Sequence, residues 1–342
     1  MKRRLLFSSS LLSLLTSCGG GSPVGPSPNP TVAPGTPVTG VLFYDENANG
    51  VAEPTELVRL PGVTVSIGGR TGTTSSGGRF TVEGVPAGSQ AISLAASGLP
   101  PYYTQGAAVS VQVPQAAGST LAVAAVLRIG TNKPNVYLAY GDSITAGEQS
   151  SDESGYRTYL QADLRSLWGA ANIEVEAFPG TKSSSGVVRL GSFLSKHRPA
   201  YTLILYGTND WNDAECRDDR FPCYTINSLR SMIQDAKGNN SMPIVGAIPP
   251  VNPKWLDKNA PERNDWVKRM NVQIRSMAQT ERTPVADIDT LFAAQSDLSA
   301  LFADSIHPND RGYQLIGQAF LKAITQPSAS ASSHGSLFSS PF

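Results

Sequence analysis

Three short stretches of the chain carry residue types that can do covalent chemistry. Gly141-Asp142-Ser143-Ile144-Thr145 presents a serine hydroxyl straight after a glycine turn, a placement that suits a nucleophile and equally suits a helix N-cap. Gly207-Thr208-Asn209-Asp210 offers a carboxamide that can donate to a developing oxyanion or close an Asx turn. Asp304-Ser305-Ile306-His307-Pro308 sets a carboxylate three residues before a histidine. A serine nucleophile needs a base, and the chain has 3 histidines. His197 lies in a Lys-His-Arg-Pro surface stretch and His334 in a Ser-rich C-terminal segment, so the base is His307. Asp304 on the second ring nitrogen would fix the tautomer and stabilise the imidazolium.

These residues need elements that bring them together. From Asn135 onward apolar runs (Asn135–Tyr140, Ile173–Ala177, Tyr201–Tyr206, Pro243–Ile248, Pro284–Ile288) alternate with helical stretches (Tyr156–Trp168, Val187–Lys196, Thr225–Lys237, Glu262–Thr280, Asp310–Ile324). Strand and helix in alternation predict an α/β fold with a parallel sheet covered on both faces. In such sheets ligands gather at the carboxyl ends of the strands, and Ser143 and Asn209 follow the first and third runs.

The three blocks, in this order, resemble the SGNH or GDSL-type hydrolase family over residues 135–325. The resemblance implies a flavodoxin-like three-layer α/β/α fold over a hydrolase domain at 131–325, with Ser143, Asp304 and His307 catalytic. It also implies an oxyanion hole from the Ser143 N–H, the Asn209 side-chain amide and a backbone donor in the second block. Phe178-Pro179-Gly180-Thr181 fills that block and offers Gly180, although the asparagine common before that glycine is absent. The implied reaction is ester hydrolysis through an acyl-enzyme, with no cofactor.

Residues 38–130 read differently. Period-two runs at Val38–Tyr44, Val63–Ile67, Arg79–Glu83, Ala91–Ala95, Ala108–Val113 and Leu121–Leu127, split by Gly, Pro and Ser turns, predict an all-β sandwich. Gly62-Val63-Thr64-Val65, Ser76-Gly77-Gly78-Arg79-Phe80-Thr81-Val82 and Val85-Pro86-Ala87-Gly88 resemble the prealbumin-like B-type modules of bacterial surface proteins. Within this segment Asp45, Asn47, Asn49, Glu53 and Glu56, with Gly50, carry the spacing of a calcium loop. The alternative is an Asn/Gly-rich turn with solvated acids.

Lys2, Arg3 and Arg4 before the apolar segment Leu5–Leu15 form an export signal. Leu15-Thr16-Ser17-Cys18 resembles a bacterial lipobox, which implies cleavage before Cys18, its lipidation and an outer-membrane or cell-surface location. Residues 19–37, with six prolines and five glycines, read as an extended tether, and 326–342 as a disordered tail. In an oxidising exported setting Cys216 and Cys223 read as a disulfide, the alternative being a reactive thiol. With 27 basic and 27 acidic residues the chain has no cationic excess to neutralise phosphates, so nucleic acid is not an expected partner.

The expected substrate is an acyl ester, short-chain and carbohydrate-linked. A lysophospholipase or thioesterase on longer chains is the alternative, and a non-catalytic glycan-binding or adhesion protein the alternative of another class. Trp211, Tyr206, Trp255 and Trp266 are candidate sugar platforms or core, with Trp211 favoured as a platform because it follows Asn209-Asp210.

Overall fold

The computed structural model describes residues 35–217, 223–255 and 259–326; the signal segment, Cys18, most of the tether and the C-terminal tail after Gln326 lie outside the described residues. Among the described residues the first half holds eight strands: β1 (Thr36–Tyr44), β2 (Thr64–Ile67), β3 (Arg70–Thr73), β4 (Arg79–Val85), β5 (Gly88–Leu94), β6 (Thr104–Gln105), β7 (Ser110–Val113) and β8 (Leu121–Val126). They form two four-stranded sheets, β4-β1-β8-β6 and β3-β2-β5-β7. All pairs are antiparallel except β1 with β8. The alternation seen in the sequence is the alternation of burial: Phe80, Val82 and Val85 of β4 point inward while Arg79, Thr81 and Glu83 stay out. Residues of both sheets, including Leu42, Val65, Ile67, Val82, Ile92, Val111 and Val123, share one apolar cluster. β3 and β6 escape sequence reading because Arg-Thr-Gly-Thr has no apolar residue and two residues show no period.

The second half contains β9 (Lys133–Gly141), α1 (Ser143–Ala146), α2 (Tyr156–Trp168), β10 (Asn172–Ala177), α3 (Ser183–His197), β11 (Pro199–Leu205), α4 (Ala214–Arg217), α5 (Thr225–Gly238), β12 (Met242–Gly246), α6 (Ala260–Thr280), β13 (Val285–Ala286), α7 (Ile288–Ala293) and α8 (Asp310–Thr325). The sheet order is β10-β9-β11-β12-β13, and every neighbouring pair is parallel. This order reverses direction between β9 and β11, which makes their carboxyl ends the place where a crevice opens. Successive residues of a strand face opposite sides, so Tyr137 and Ala139 join α2, α7 and α8, while Leu138 and Tyr140 join α3, α5 and α6. The result is a three-layer α/β/α arrangement. The last strand is shorter than its apolar run suggests, because Ile288 already begins α7. α3 begins at Ser183, ahead of its apolar stretch, because Asp210 accepts from the Ser183 N–H and hydroxyl. Among the described residues no helix is long and apolar enough to cross a membrane.

The two halves meet through aromatic side chains. Tyr103 packs edge-on against Tyr44 at 5.2 Å and Trp168 at 5.9 Å, and Tyr102 packs against Tyr201, which stacks on Tyr137 at 4.9 Å. Tyr102 also donates its hydroxyl hydrogen to the Pro243 carbonyl, and Asn135 donates to Glu46 at 2.6 Å. The apolar cluster of the eight-stranded half therefore runs without a break into the layer beneath the parallel sheet.

Candidate active site

β9 ends at Gly141, where close packing leaves no room for a side chain: an added Cβ would lie 2.1 Å from Thr145 Oγ1 and 2.4 Å from the Leu205 carbonyl. Asp142 then caps α1, accepting from the Ile144 N–H at 3.0 Å, and Ser143 opens the helix beside the sheet edge. The Ser143 side chain is buried, and its Oγ lies 2.9 Å from His307 Nε2. His307 Nδ1 lies 2.7 Å from Asp304 Oδ2. A carboxylate only accepts, so Nδ1 carries the hydrogen and Nε2 is left to accept from the serine. Asp304 also takes the N–H groups of Ile306 at 2.8 Å and His307 at 2.6 Å through Oδ1, which folds the acid and base into one turn. Burial works to raise the Asp304 carboxyl, but hydrogen bonds from His307 and Ile306 outweigh it and hold it below the usual carboxylate value. Asn252, after β12, braces this turn by donating to the Asp304 and Ser305 carbonyls.

The other two blocks converge on the same point. Asn209 donates its amide to the Thr181 carbonyl at 3.0 Å and approaches Asp142 Oδ2 at 3.4 Å. Thr181 follows Gly180, whose φ of +70° places it in the left-handed region that glycine tolerates. Neither the Ser143 nor the Gly180 N–H has an acceptor among the described residues. Ser143, Asn209, Gly180, Asp304 and His307 are thus gathered at the carboxyl ends of β9, β10 and β11 and the start of α8.

Several residues at the site have no signature in the sequence. Asp210 is buried and accepts from Ser183 N (2.9 Å), Ser183 Oγ (2.6 Å) and Thr225 Oγ1 (2.6 Å), tying α3 and α5 to the Asn209 loop. Burial raises its carboxyl, and the Ser183 and Thr225 hydrogen bonds offset part of that. Burial pushes the Asp142 carboxyl up to about 7, and Asp210 adds to the effect. Arg263 of α6 reaches back to the Thr208 carbonyl at 2.6 Å, and burial brings its guanidinium down to about 10. Glu148, five residues after the serine, places Oε2 3.2 Å from His307 Nε2. The helix N-cap that the sequence offered at Ser143 falls one residue earlier, on Asp142.

Other expected residues lie elsewhere. His197 ends α3 and contacts Glu176 at 2.7 Å, away from the serine. Cys216 and Cys223 form a disulfide. Trp211, Tyr206 and Trp266 are buried in the layer of α5 and α6, which removes Trp211 as a platform; Trp255 is 41% exposed and is the aromatic of the four that a ring can reach. Asp45, Asn47, Asn49, Glu53 and Glu56 share one loop and engage one another: Asp45 accepts from the Asn49 and Gly50 N–H groups, Glu56 from those of Glu46 and Glu53, and both asparagine amides donate to Glu53. Among the described residues no group of three or more His, Cys, Asp or Glu is arranged to hold a metal ion.

A comparison with family models matches residues 139–315, over half of the chain, to the GDSL-like lipase/acylhydrolase family. The chain belongs to that family. A multidomain esterase of Ruminococcus flavefaciens is 24% identical over 224 residues, covering 54% of this chain and 28% of that protein. The thioesterase 1/protease 1/lysophospholipase L1 of Escherichia coli is 30% identical over 111 residues, 32% of this chain and 50% of that one. The chain thus spans half or less of these curated relatives. Among solved structures, a lipase/acylhydrolase from Enterococcus faecalis has a TM-score of 0.47 at 21% identity, covering 57% of this chain and 98% of its own. An acetyl xylan esterase from Geobacillus stearothermophilus has a TM-score of 0.46 at 19% identity, with 57% and 97% covered. The family segment of this GDSL-like protein runs from β9 into α8 and so encloses all five gathered residues.

Proposed function

We propose that the protein is a serine esterase that hydrolyses acyl esters through an acyl-enzyme. The observation that carries this reading is the continuous chain Ser143 Oγ, His307 Nε2, His307 Nδ1, Asp304 Oδ2, with links of 2.9 and 2.7 Å. In acylation Ser143 Oγ bonds to the ester carbonyl carbon as its proton passes to His307 Nε2. The tetrahedral oxyanion sits among the Ser143 and Gly180 N–H groups and the Asn209 amide, which exchanges its long 3.4 Å contact with Asp142 for the oxyanion, each donor worth about 3–4 kcal/mol by the measured loss of one such group. The bond to the departing alkoxide then breaks, and its oxygen takes the proton from Nε2. Water, deprotonated by the same nitrogen, releases the acid and frees Ser143. Replacing Ser143 by alanine should lower kcat on p-nitrophenyl acetate by roughly 10⁶-fold, and equal turnover by both forms would end the proposal.

For substrate we favour short acyl groups on carbohydrate. The multidomain-esterase relative supports an esterase reading, and the exposed Trp255, beside the Asn252 brace of the catalytic turn, supports contact with a sugar face. The matched Escherichia coli protein, by its name a thioesterase and lysophospholipase, favours the second reading, longer acyl chains. Rates on p-nitrophenyl esters from acetate to palmitate separate the two: a maximum at acetate fits the first, a maximum at long chains the second.

We further propose that the enzyme is exported, lipidated at Cys18 and held at the outer membrane or cell surface, with the first eight strands as a sandwich module on the membrane side of the catalytic half. The lipobox spacing and the Pro/Gly-rich tether support this. Calcium in the Asp45–Glu56 loop is proposed from its oxygen-bearing side chains at calcium-loop spacing, which suit a hard cation. Chelator should lower the Tm and added calcium restore it; an unchanged Tm would remove calcium from the account.

A further inference from the structure

The imidazole of His307 has a carboxylate on each side. Asp304 holds Nδ1, and Glu148 Oε2 stands 3.2 Å from Nε2, the nitrogen that moves the proton. Glu148 is fixed there by its backbone, which donates its N–H to the Ser143 carbonyl at 3.1 Å and accepts the Tyr313 hydroxyl at 2.6 Å. Its side chain is 42% exposed while that of His307 is 13% exposed and Ser143 is buried, so the carboxylate lies on the solvent side of the reacting atoms. Among the described residues no lysine or arginine pairs with Glu148.

These facts constrain what can leave. The departing alcohol oxygen must come within about 3 Å of Nε2 to take its proton. Whatever that oxygen carries is then brought against the Glu148 carboxylate. We propose that Glu148 selects the leaving group: it accepts a hydrogen bond or an ion pair from a hydroxyl or ammonium group near the ester oxygen, and it repels alcohols bearing an anionic group. The substrate class is then acyl esters of neutral polyols or cationic alcohols, and esters of phosphorylated or carboxylated alcohols are excluded. This deepens the serine-esterase reading and rests on it.

The test uses three acetates with one acyl group: acetylcholine, its uncharged isostere 3,3-dimethylbutyl acetate, and acetoxyacetate. Each is assayed with the full chain, with Glu148→Gln and with Glu148→Lys. The intact protein should prefer the choline ester over the isostere by about tenfold in kcat/KM, a difference of about 1.4 kcal/mol, and disfavour acetoxyacetate by a similar factor. Glu148→Gln should bring both ratios close to one, and Glu148→Lys should invert them. Ratios within one preparation are insensitive to the folded fraction. Ser143-dependent turnover whose ratios do not move in either variant would overturn the selector role alone. Absence of turnover on all three by a protein that still cleaves p-nitrophenyl esters through Ser143 would likewise overturn the selector alone, whereas absence of Ser143-dependent turnover on the p-nitrophenyl series from acetate to palmitate as well would overturn the esterase reading and the selector with it.

Discussion

Ser143 and His307 are 164 positions apart yet share a 2.9 Å contact, so each had to be recognised from its own short motif. Ser143, Asn209, Asp304 and His307, which the structure brings together, were legible because a hydroxyl, a carboxamide, a carboxylate and an imidazole in short motifs are chemically distinctive types. Glu148, Arg263 and Asp210 were not, since an acid in a loop or an arginine on a helix reads the same whether it faces solvent or a catalytic crevice. Asp142 allows a pH test. Its carboxyl is pushed up to about 7 by burial and by Asp210, against about 3.9 in an unfolded chain. The folded state then holds a proton that the unfolded state has released, so this group's contribution to stability is complete below about pH 4 and is lost as pH rises through about 7. Relative to Asp142→Asn, the wild type should lose roughly 2–3 kcal/mol between pH 5 and pH 8 in urea denaturation. A difference that stays flat across that range would refute the burial argument.

At the scale of elements, the site depends on where strands stop and helices begin. β9 and β11 lie side by side and parallel, so the loops that follow them, carrying Ser143 and Asn209, emerge at one edge. Asp210 then decides how α3 and α5 approach that edge, by taking hydrogen bonds from Ser183 and Thr225. Asp210→Ala should leave those donors without their acceptor at a cost of about 2 kcal/mol, and should also depress kcat through a loosened Asn209. An urea midpoint equal to wild type would show that the helices hold themselves. Strand and helix existence was readable from periodicity, whereas the start of α3 and the shortness of β13 were not. Both are set by partners remote in sequence: Asp210 for the first, and the packing of Ile288 and Phe292 of α7 against the helical layer for the second.

At the scale of the whole molecule, the junction of the two halves is a core rather than a hinge. Tyr44, Tyr102 and Tyr103 from the first half interlock with Tyr137, Trp168 and Tyr201 from the second. Separating the halves would expose these rings together, and a large apolar surface resists exposure. Calorimetry on the chain should therefore give one transition with equal calorimetric and van't Hoff enthalpies. Two resolved transitions would mean that the aromatic junction contributes little.

The sequence by itself determined the class of each half, through periods of two and of alternating strand and helix, and it singled out Ser143, Asn209, Asp304 and His307, through residue types that few other functions require. Periodicity is local, and chemistry resides in single side chains, so neither needs knowledge of the partner. Tertiary structure alone decided that the two halves share a core, that Trp211 is buried while Trp255 is exposed, and that Glu148 meets the imidazole. Each of those is a fact about which surfaces touch, and contact between distant segments is set by packing of the entire chain, which no window of residues contains.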